Sequence, residues 1–330
     1  MGNNHLGSEV LSENIHKHTG MIIGRKQLGR HETLIENMRK HKILYIMVLP
    51  GVLYFILFKY IPLLGSIIAF QDFQIFKGLL KSPWVGLENF QYIFQYPDFY
   101  RILKNTVIIG FAQIVFGFPV PLLLSLLINE VYSNKFKRTT QTILYLPHFL
   151  SWAIIGSIIF ELLSLNGPFN IVRRVLGNDS ILYMQKSVYF LPIVIISSIW
   201  KEIGWGAIVY LAAIAGINPQ LYEAALVEGA SKFKQTIYIT LPMLMPTIVV
   251  MFLLRIGNFL NLGFEQIYVL MTPVTQSVGD ILDTYVYRYG VVEGKYSITT
   301  TIGLFKSVFG LILMVFSNWL SKRATGRGVY

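Results

Sequence analysis

Two groups of polar and aromatic residues interrupt apolar stretches of this 330-residue sequence, and their chemistry suits non-covalent recognition of a polar ligand. The first group is "WKEIGW" at 200–205, with Trp200, Lys201, Glu202 and Trp205 inside a long apolar run. Charges in such a run usually face a protein interior or a water-filled cavity. Aromatic rings suit the apolar faces of cyclic ligands, and charged groups suit hydroxyls. A structural alternative stays open, because Lys201 and Glu202 would also neutralise each other.

The second group occupies the end of a later apolar run and consists of Arg255, Asn258, Asn261 and Glu265. On one helix advancing about 100° per residue, these positions fall within an arc of about 120°. A one-sided polar stripe on an apolar helix points away from lipid, so we expect it to face a cavity. Together with Lys201, Arg255 would suit an acidic ligand. Pairing of Arg255 with a neighbouring subunit is the structural alternative.

Residues for covalent chemistry form no recognised pattern. The sequence has no G-x-x-x-x-G-K-[ST] phosphate loop, since "EGKYS" at 293–297 lacks both the first glycine and the hydroxyl after the lysine. It contains neither H-E-x-x-H nor G-x-S-x-G, and it has no cysteine. His16 and His18 lie in the N-terminal tail and are expected to be solvated. We therefore predict no catalytic residue, no metal site and no ATP hydrolysis by this chain.

The composition indicates a membrane protein, with a mean hydropathy of +0.55, 54% hydrophobic residues and 14% charged residues. A bilayer core of about 30 Å requires about 20 apolar residues in a helix. Six segments meet this requirement: 43–70, 105–128, 139–160, 187–217, about 241–264 and 296–320. We predict an all-α membrane protein with six transmembrane helices, a tail at 1–42 and a membrane domain at 43–330.

The distribution of basic residues predicts the orientation. Lys and Arg collect just outside the apolar runs, as cytoplasmic flanks do, and form no aromatic-interleaved face for nucleic acid. Seven precede residue 43, and three each occur in "NKFKR" and "KRATGR". With six spans these flanks fall on one side, together with the loop at about 213–242. Both termini are therefore predicted to be cytoplasmic, and the net charge of +11 reflects topology.

That loop contains "EAALVEGASKFKQTIYITLP" at 223–242, a polar segment between two apolar spans. Pro219 suits a helix start, and Gly229 permits a sharp turn before a second short helix that leads into the fifth span. The small side chains of Ala224 and Ala225 give a surface for close approach, and Glu223 can pair with a basic partner residue. An interfacial helix that merely anchors the loop is the alternative.

The spacing within this loop resembles the signature of binding-protein-dependent ABC importer permeases. The matching residues are Glu223, Ala224, Ala225, Gly229, Ile239, Leu241 and Pro242. One departure is mild, because Glu228 stands where many relatives have Asp. In that family the loop is the coupling helix, which fits a groove on the ATPase subunit. The resemblance therefore implies that these residues couple the permease to ATP hydrolysis on another chain.

Longer strings narrow the resemblance to the complex-oligosaccharide subgroup of the maltose-type carbohydrate permeases, which serves fragments of pectin, xylan and alginate. These strings are "LPGVLYFILFKYIPLLGSIIAFQDF" (49–73), "WVGLENF" (84–90), "LKNTVIIG" (103–110) and "DTYVYRYG" (283–290). The resemblance implies the type I importer fold in a bacterial cytoplasmic membrane. It also implies a second permease, usually non-identical, an ATPase dimer that holds ATP and Mg, and an extracellular solute-binding lipoprotein that delivers the oligosaccharide.

Two other functions stay open on the sequence alone. One is an ABC permease for a different small solute, against which the strings at 49–73 and 283–290 argue. The other is a membrane scaffold or receptor that transports nothing, which co-purification with an ATPase would separate from a permease.

Overall fold

The computed structural model of the protein describes residues 40–325. Nearly all of the tail predicted at 1–42, including His16 and His18, therefore lies outside the described residues. The chain divides into two units between Gly65 and Ser66. Within the described residues, the first unit is one helical segment and the second contains the remaining helices.

The described chain is all-α, as predicted, because a helix satisfies the backbone of a long apolar stretch internally. Among the described residues, five helices are long and apolar enough to cross a membrane, and a bent pair makes a sixth if it counts as one span. In chain order the spans are Lys42–Phe70, Pro97–Asn129, the pair Asn134–Phe149 and Trp152–Leu162, Ser187–Ala215, Lys232–Gly257 and Tyr296–Arg323. Extended pairing in the described residues is limited to one antiparallel bridge, Gln71 with Trp84.

Shorter helices fill the connections between the spans. They are Gly78–Lys81, Glu88–Gln95, Pro168–Val175, Pro219–Val227, Phe264–Leu270, Gln276–Gly279 and Leu282–Val286. Tighter 3₁₀ turns occupy Gly65–Phe70, Leu146–Phe149 and Tyr183–Gln185, and wider π turns occupy Ile56–Tyr60, Gln113–Gly117, Thr236–Thr240 and Tyr287–Val292.

Three of the π turns lie directly before prolines. Proline has no N–H to donate, and its ring clashes with the carbonyl four residues earlier. For Pro62, Pro119 and Pro242 the residue four positions earlier lies inside a π turn, where the wider backbone moves that carbonyl aside. The spans therefore continue through these prolines by local widening of the helix.

The third span differs from the continuous helix predicted at 139–160. Its halves, Asn134–Phe149 and Trp152–Leu162, meet at an angle of 102°. The first half ends in a 3₁₀ turn at Pro147, and the second begins at Ser151, whose hydroxyl accepts the N–H of Ile154. The run at 139–160 predicted a span here, but hydropathy averaged over a window does not register a break made by a proline and an N-cap serine.

The fourth span packs against several other spans, and glycines allow its closest contacts. At Gly204 a Cβ atom would lie 2.2 Å from the carbonyl oxygen of Leu144, in the first half of the third span. At Gly206 a Cβ atom would lie 3.0 Å from the side chain of Pro121 in the second span. Small residues at crossing points are the usual means by which membrane helices approach closely. The fourth span is thus placed to form the wall of any cavity in this unit.

Candidate functional site

A cavity of about 490 Å³ lies between the second, third, fourth and fifth spans. Its polar lining comprises Gln113, Ser198, Glu202, Arg255, Asn258, Asn261 and Gln266. Its aromatic lining comprises Phe118, Trp152, Trp205 and Tyr210. Five of the eight residues predicted for a substrate pathway therefore share one cavity: Glu202, Trp205, Arg255, Asn258 and Asn261. The mixture of aromatic faces, amides and opposite charges can bind a polar, cyclic ligand without covalent chemistry.

Arg255 supplies a positive charge to this cavity. Its Nη2 donates to Oε1 of Gln113 at 2.8 Å, which is its one hydrogen bond within the described residues. Arg255 takes part in none of the ion pairs found in that part of the chain. Gln113 is only 4% exposed and belongs to the π turn of the second span, so it holds the guanidinium firmly. The remaining N–H groups are available to an anionic ligand.

The predicted polar stripe over 255–265 does not lie on a single helix. The fifth span ends at Gly257, and the chain then turns through Gly263, whose φ of +85° is readily adopted only by glycine. Asn261 still reaches the cavity from this turn, whereas Glu265 is exposed on the next helix and does not line it. The predicted helical arc was therefore wrong beyond Gly257, because the helix stops there.

Lys201 lies behind the cavity wall and is only 7% exposed. Its ammonium donates to the carbonyl oxygens of Pro147, His148 and Leu150 at 3.4, 2.8 and 2.5 Å. The carbonyls of His148 and Leu150 accept no backbone N–H among the described residues, whereas that of Pro147 also accepts the N–H of Leu150 at 3.2 Å. The structure therefore places Lys201 on the bend of the third span, and it forms no ion pair with Glu202.

His148 joins the cavity to the bend, although the sequence analysis did not single it out. Its Nδ1 lies 3.0 Å from Oε2 of Glu202, and its ring stacks on Trp205 with centroids 4.4 Å apart. It is the only histidine of the sequence outside the first 41 residues, and it follows a proline in an apolar segment. A single histidine in an apolar segment is the sequence feature that could have identified His148 as a functional residue.

Trp200 does not share the cavity with Trp205. It lines a separate apolar cavity of about 440 Å³ with residues such as Ile158, Pro192 and Ile196. Positions five residues apart on a helix point about 140° away from each other, which explains the separation. The residues of "WKEIGW" therefore face three different surroundings. Trp200 lines the apolar cavity, Lys201 contacts the bend of the third span, and Glu202 and Trp205 line the polar cavity.

The loop at 219–242 has the helix–turn–helix form that the sequence predicts. Asn218 begins the helix Pro219–Val227, and its side chain accepts the N–H of Gln220 at 3.0 Å. Gly229 ends it with a φ of +76°, while the N–H of Ala230 bonds back to the carbonyl of Ala225 at 2.9 Å. This arrangement is a Schellman cap, which requires the left-handed conformation that glycine adopts without strain.

The residues of the loop signature occupy two different surroundings. Glu223, Ala224 and Gly229 are exposed around the first helix and its cap. Ile239, Leu241 and Pro242 instead lie in or after the π turn through which the chain enters the fifth span. The two parts are tied together by Tyr222, whose hydroxyl lies 2.9 Å from Oγ1 of Thr240.

Large apolar side chains are exposed beside the first part of the signature. Val227 is 89% exposed and Phe233 is 73% exposed, on either side of the turn at Gly229. Glu223 takes part in none of the ion pairs among the described residues. An exposed apolar pair next to an acidic group is the composition expected of a docking surface. The sequence predicted a role for Glu223 but not for Val227 and Phe233.

A buried ion pair organises the segment that contains "DTYVYRYG" at 283–290. Asp280 is fully buried and accepts from Nη2 of Arg288 at 2.7 Å. Burial alone lowers the pKa of Arg288, but the hydrogen bond and charge of Asp280 outweigh it, so the net direction is upward. The guanidinium also covers the rings of Tyr285 and Tyr289. This cluster holds the connection between the last two spans in a fixed shape.

Comparison with known proteins places the chain among transporters. The family described as "Binding-protein-dependent transport system inner membrane component" matches residues 117–326. Protein LplB of Bacillus subtilis (strain 168) is 44% identical over 303 residues, covering 92% of this chain and 95% of that protein. The "Polygalacturonan/rhamnogalacturonan transport system permease protein YteP" of the same strain is 44% identical over 310 residues, covering 94% and 96%.

Two solved structures have the same fold. One is described as a bacterial ABC transporter involved in the import of the acidic polysaccharide alginate, with a TM-score of 0.82 and 40% identity over 88% of this chain and 99% of that chain. The other, a bacterial alginate ABC transporter in complex with an alginate pentasaccharide-bound periplasmic protein, gives a TM-score of 0.83 and 39% identity. These matches confirm the predicted permease fold and membrane location. The chain belongs to the binding-protein-dependent transport system inner membrane component family, as a multi-pass permease of an ABC importer.

Proposed function

We propose that this permease imports complex oligosaccharides, including acidic ones that contain uronate residues. The observation that carries the proposal is Arg255, a cation that faces the cavity and has no ion-pair partner among the described residues. A guanidinium binds a carboxylate through two parallel hydrogen bonds. The names of two relatives support an acidic substrate, since one concerns polygalacturonan and rhamnogalacturonan and the other concerns alginate.

The remaining lining of the cavity suits the neutral parts of such a chain. Trp205 and Trp152 offer aromatic faces for the apolar side of a sugar ring. Asn258 and Asn261 can both donate to and accept from hydroxyls, and Glu202 can accept from them. Arg255 then selects for charge, whereas the aromatic and amide groups accept many ring types. A permease for fragments of varied polysaccharides needs this combination.

The same proposal includes the partners that the family resemblance implies. They are a second permease, usually non-identical, an ATPase dimer that binds ATP and Mg, and an extracellular binding lipoprotein. The complex of a relative with a periplasmic protein supports the last of these. We place both termini and the loop at 219–242 in the cytoplasm, where that loop meets an ATPase. Closure of the ATPases would move the loop, and its connection through Tyr222 would pass this movement to the fifth span.

Uptake measurements test the substrate. The expected result for Arg255→Ala is a loss of uptake of uronate oligosaccharides of about tenfold or more, because one charge-assisted contact contributes roughly that factor. Uptake of neutral oligosaccharides should change much less. Arg255→Lys, which keeps the charge but loses the planar fork, should retain part of the acidic uptake. Equal losses for both substrate classes in Arg255→Ala would contradict a role for the charge.

Co-purification and ATP hydrolysis test the coupling surface. Glu223→Lys should abolish uptake and weaken retention of the ATPase, while the permease stays in the membrane. Glu88→Lys is the matched control, because it reverses an exposed acidic residue between the first two spans. With six spans and cytoplasmic termini, this connection lies on the side of the membrane opposite the loop at 219–242. Full uptake and normal ATPase retention in Glu223→Lys would count against the docking role.

A further inference from the structure

The bend of the third span interrupts the backbone hydrogen bonds of the helix. The first half of this span ends at Phe149, where the carbonyl of Pro147 accepts the N–H of Leu150 at 3.2 Å. The carbonyls of His148 and Leu150 accept no backbone N–H among the described residues. Inside a membrane protein, away from bulk water, such carbonyls are strongly destabilising unless another donor reaches them. A donor with several N–H groups is required at this position, and the fourth span supplies it.

Lys201 meets this requirement because its ammonium group has three N–H donors. Its three N–H groups are matched by three carbonyl oxygens, those of Pro147, His148 and Leu150. Lys201 is buried and forms no ion pair among the described residues, so its charge is stabilised chiefly by these carbonyls. The ring of Trp152 adds a cation–π contact at 5.5 Å. The bend and the buried ammonium therefore depend on each other.

The same bend fixes two groups of the cavity lining. The backbone carbonyl of His148 is held by Lys201 at 2.8 Å. The side chain of the same histidine stacks on Trp205 and meets the carboxylate of Glu202. A displacement of the bend would move the imidazole and so release both residues. Lys201 thus acts on the cavity through His148, without lining the cavity itself.

We propose that Lys201 is a positioning residue of the transport cavity, which locks the broken third span so that Glu202 and Trp205 keep their orientation. Its effect on uptake rests on the function proposed above, but its effect on the geometry of the bend does not. If Lys201 were instead a direct substrate contact, its removal would alter the preference for acidic over neutral oligosaccharides. A positioning residue should affect both substrate classes alike.

Distance measurements between spin labels test the geometry without any substrate. The natural chain has no cysteine, so Thr139→Cys and Ser157→Cys place single labels on exposed sites of the two halves of the third span. The measurement uses the assembled importer in lipid vesicles. In Lys201→Met the distance distribution between the labels should broaden and shift, because the carbonyls lose their donors. Lys201→Arg, which keeps the charge and the donors, should restore a narrow distribution.

Transport kinetics provide the second readout. We expect Lys201→Met to raise KM by about tenfold for acidic and neutral oligosaccharides alike, by analogy with the loss that follows removal of a residue that orients a metal ligand. Lys186→Met is the matched control, because it removes an exposed lysine at the start of the same span and should change neither KM nor distance. An unchanged label distance in Lys201→Met would overturn the proposal, as would a loss confined to acidic substrates.

A folding defect would not leave the proposal untested. If Lys201→Met does not accumulate in the membrane, Lys201→Gln takes its place, because its amide keeps two N–H donors without the charge. We then expect a partial broadening of the label distance and a smaller rise in KM. A narrow distance distribution with wild-type KM in Lys201→Gln would overturn the proposal. If wild type transports no uronate oligosaccharide, the proposed substrate is wrong, whereas the label distances still decide the role of Lys201.

Discussion

The imidazole of His148 stacks on the indole of Trp205, with ring centroids 4.4 Å apart and an angle of 1° between the ring planes. The two residues lie on different spans, and the same imidazole contacts Glu202 through Nδ1 at 3.0 Å. One side chain therefore orients both an aromatic face and a carboxylate of the cavity. This contact connects the bend of the third span to the wall formed by the fourth.

Two substitutions separate these roles of His148. In His148→Phe the ring still covers Trp205 but Glu202 loses its partner, and we expect KM for oligosaccharide uptake to rise only a few-fold. In His148→Ala both contacts are lost, and we expect a rise of about tenfold or more, because stacked aromatic pairs and hydrogen bonds to charged groups each contribute about 1 kcal/mol or more. Initial uptake rates over a range of substrate concentrations measure both. Identical KM values in wild type and His148→Ala would contradict the assignment.

Gly204 should tolerate no side chain. A Cβ atom there would lie 2.2 Å from the carbonyl oxygen of Leu144 and 2.9 Å from the ring of Tyr145. We expect Gly204→Ala to destabilise the permease by about 1–3 kcal/mol, the usual range for overpacking. Thermal unfolding of the purified protein in detergent measures the loss. Gly303→Ala is the control, because no atom lies within 4 Å of its added Cβ atom, and its melting temperature should not fall.

The cap at Gly229 yields a prediction about coupling. Its φ of +76° costs about 1–2 kcal/mol for a residue with a Cβ atom, so Gly229→Ala should weaken the turn and reduce uptake. Gly229→Pro should abolish uptake, since proline cannot adopt this φ and has no N–H to donate to Leu226. Both variants should remain in the membrane. Gly216→Ala, at an ordinary φ of −83° in the same loop, should transport normally.

Normal uptake with binding-protein-stimulated ATP hydrolysis in Gly229→Pro would show that the turn is dispensable. Loss of uptake in Gly216→Ala would show that the whole loop is fragile, and the glycine cap would then have no special role.

The sequence predicted the bounds of three spans closely, although each of these apolar runs contains at least one lysine. The predicted segments 43–70, 187–217 and 296–320 lie close to the observed Lys42–Phe70, Ser187–Ala215 and Tyr296–Arg323. In these runs the requirement for about 20 apolar residues is sufficient to define a span. The second span begins earlier than predicted because Pro97 starts a helix whose first turns are polar.

Hydropathy did not predict where the fifth span begins or how the residues around the cavity contact each other. This span begins at Lys232, well before the predicted start near 241, because polar residues and a π turn continue the helix into the loop. Five of the predicted pathway residues meet in one cavity, although Asn258 and Asn261 follow the fifth span and do not lie on it. The sequence could not show that Lys201 reaches carbonyls more than 50 residues away in the chain, because that contact depends on how the spans pack.

The tyrosine cluster outside the spans gives a prediction about alkaline pH. The hydroxyls of Tyr96 and Tyr289 lie 2.8 Å apart, and this hydrogen bond, with smaller contributions from burial and from Asp98, raises the pKa of Tyr96 to about 12. Burial also raises the pKa of Tyr285, whose ring stacks on Tyr289. The folded state therefore favours the neutral phenols.

The direction of the pH dependence follows from these raised values. The contribution of Tyr96 to stability is complete below the ordinary tyrosine pKa of about 10 and is lost as the pH rises through about 12, because the unfolded chain releases its proton first. The difference in tyrosinate absorbance between wild type and Tyr96→Phe isolates this residue among the 19 tyrosines. In a Tyr289→Phe background the same difference should titrate closer to 10, because the main cause of the shift is removed. A titration near 10 in the wild type would refute the hydrogen bond between the two hydroxyls as the cause.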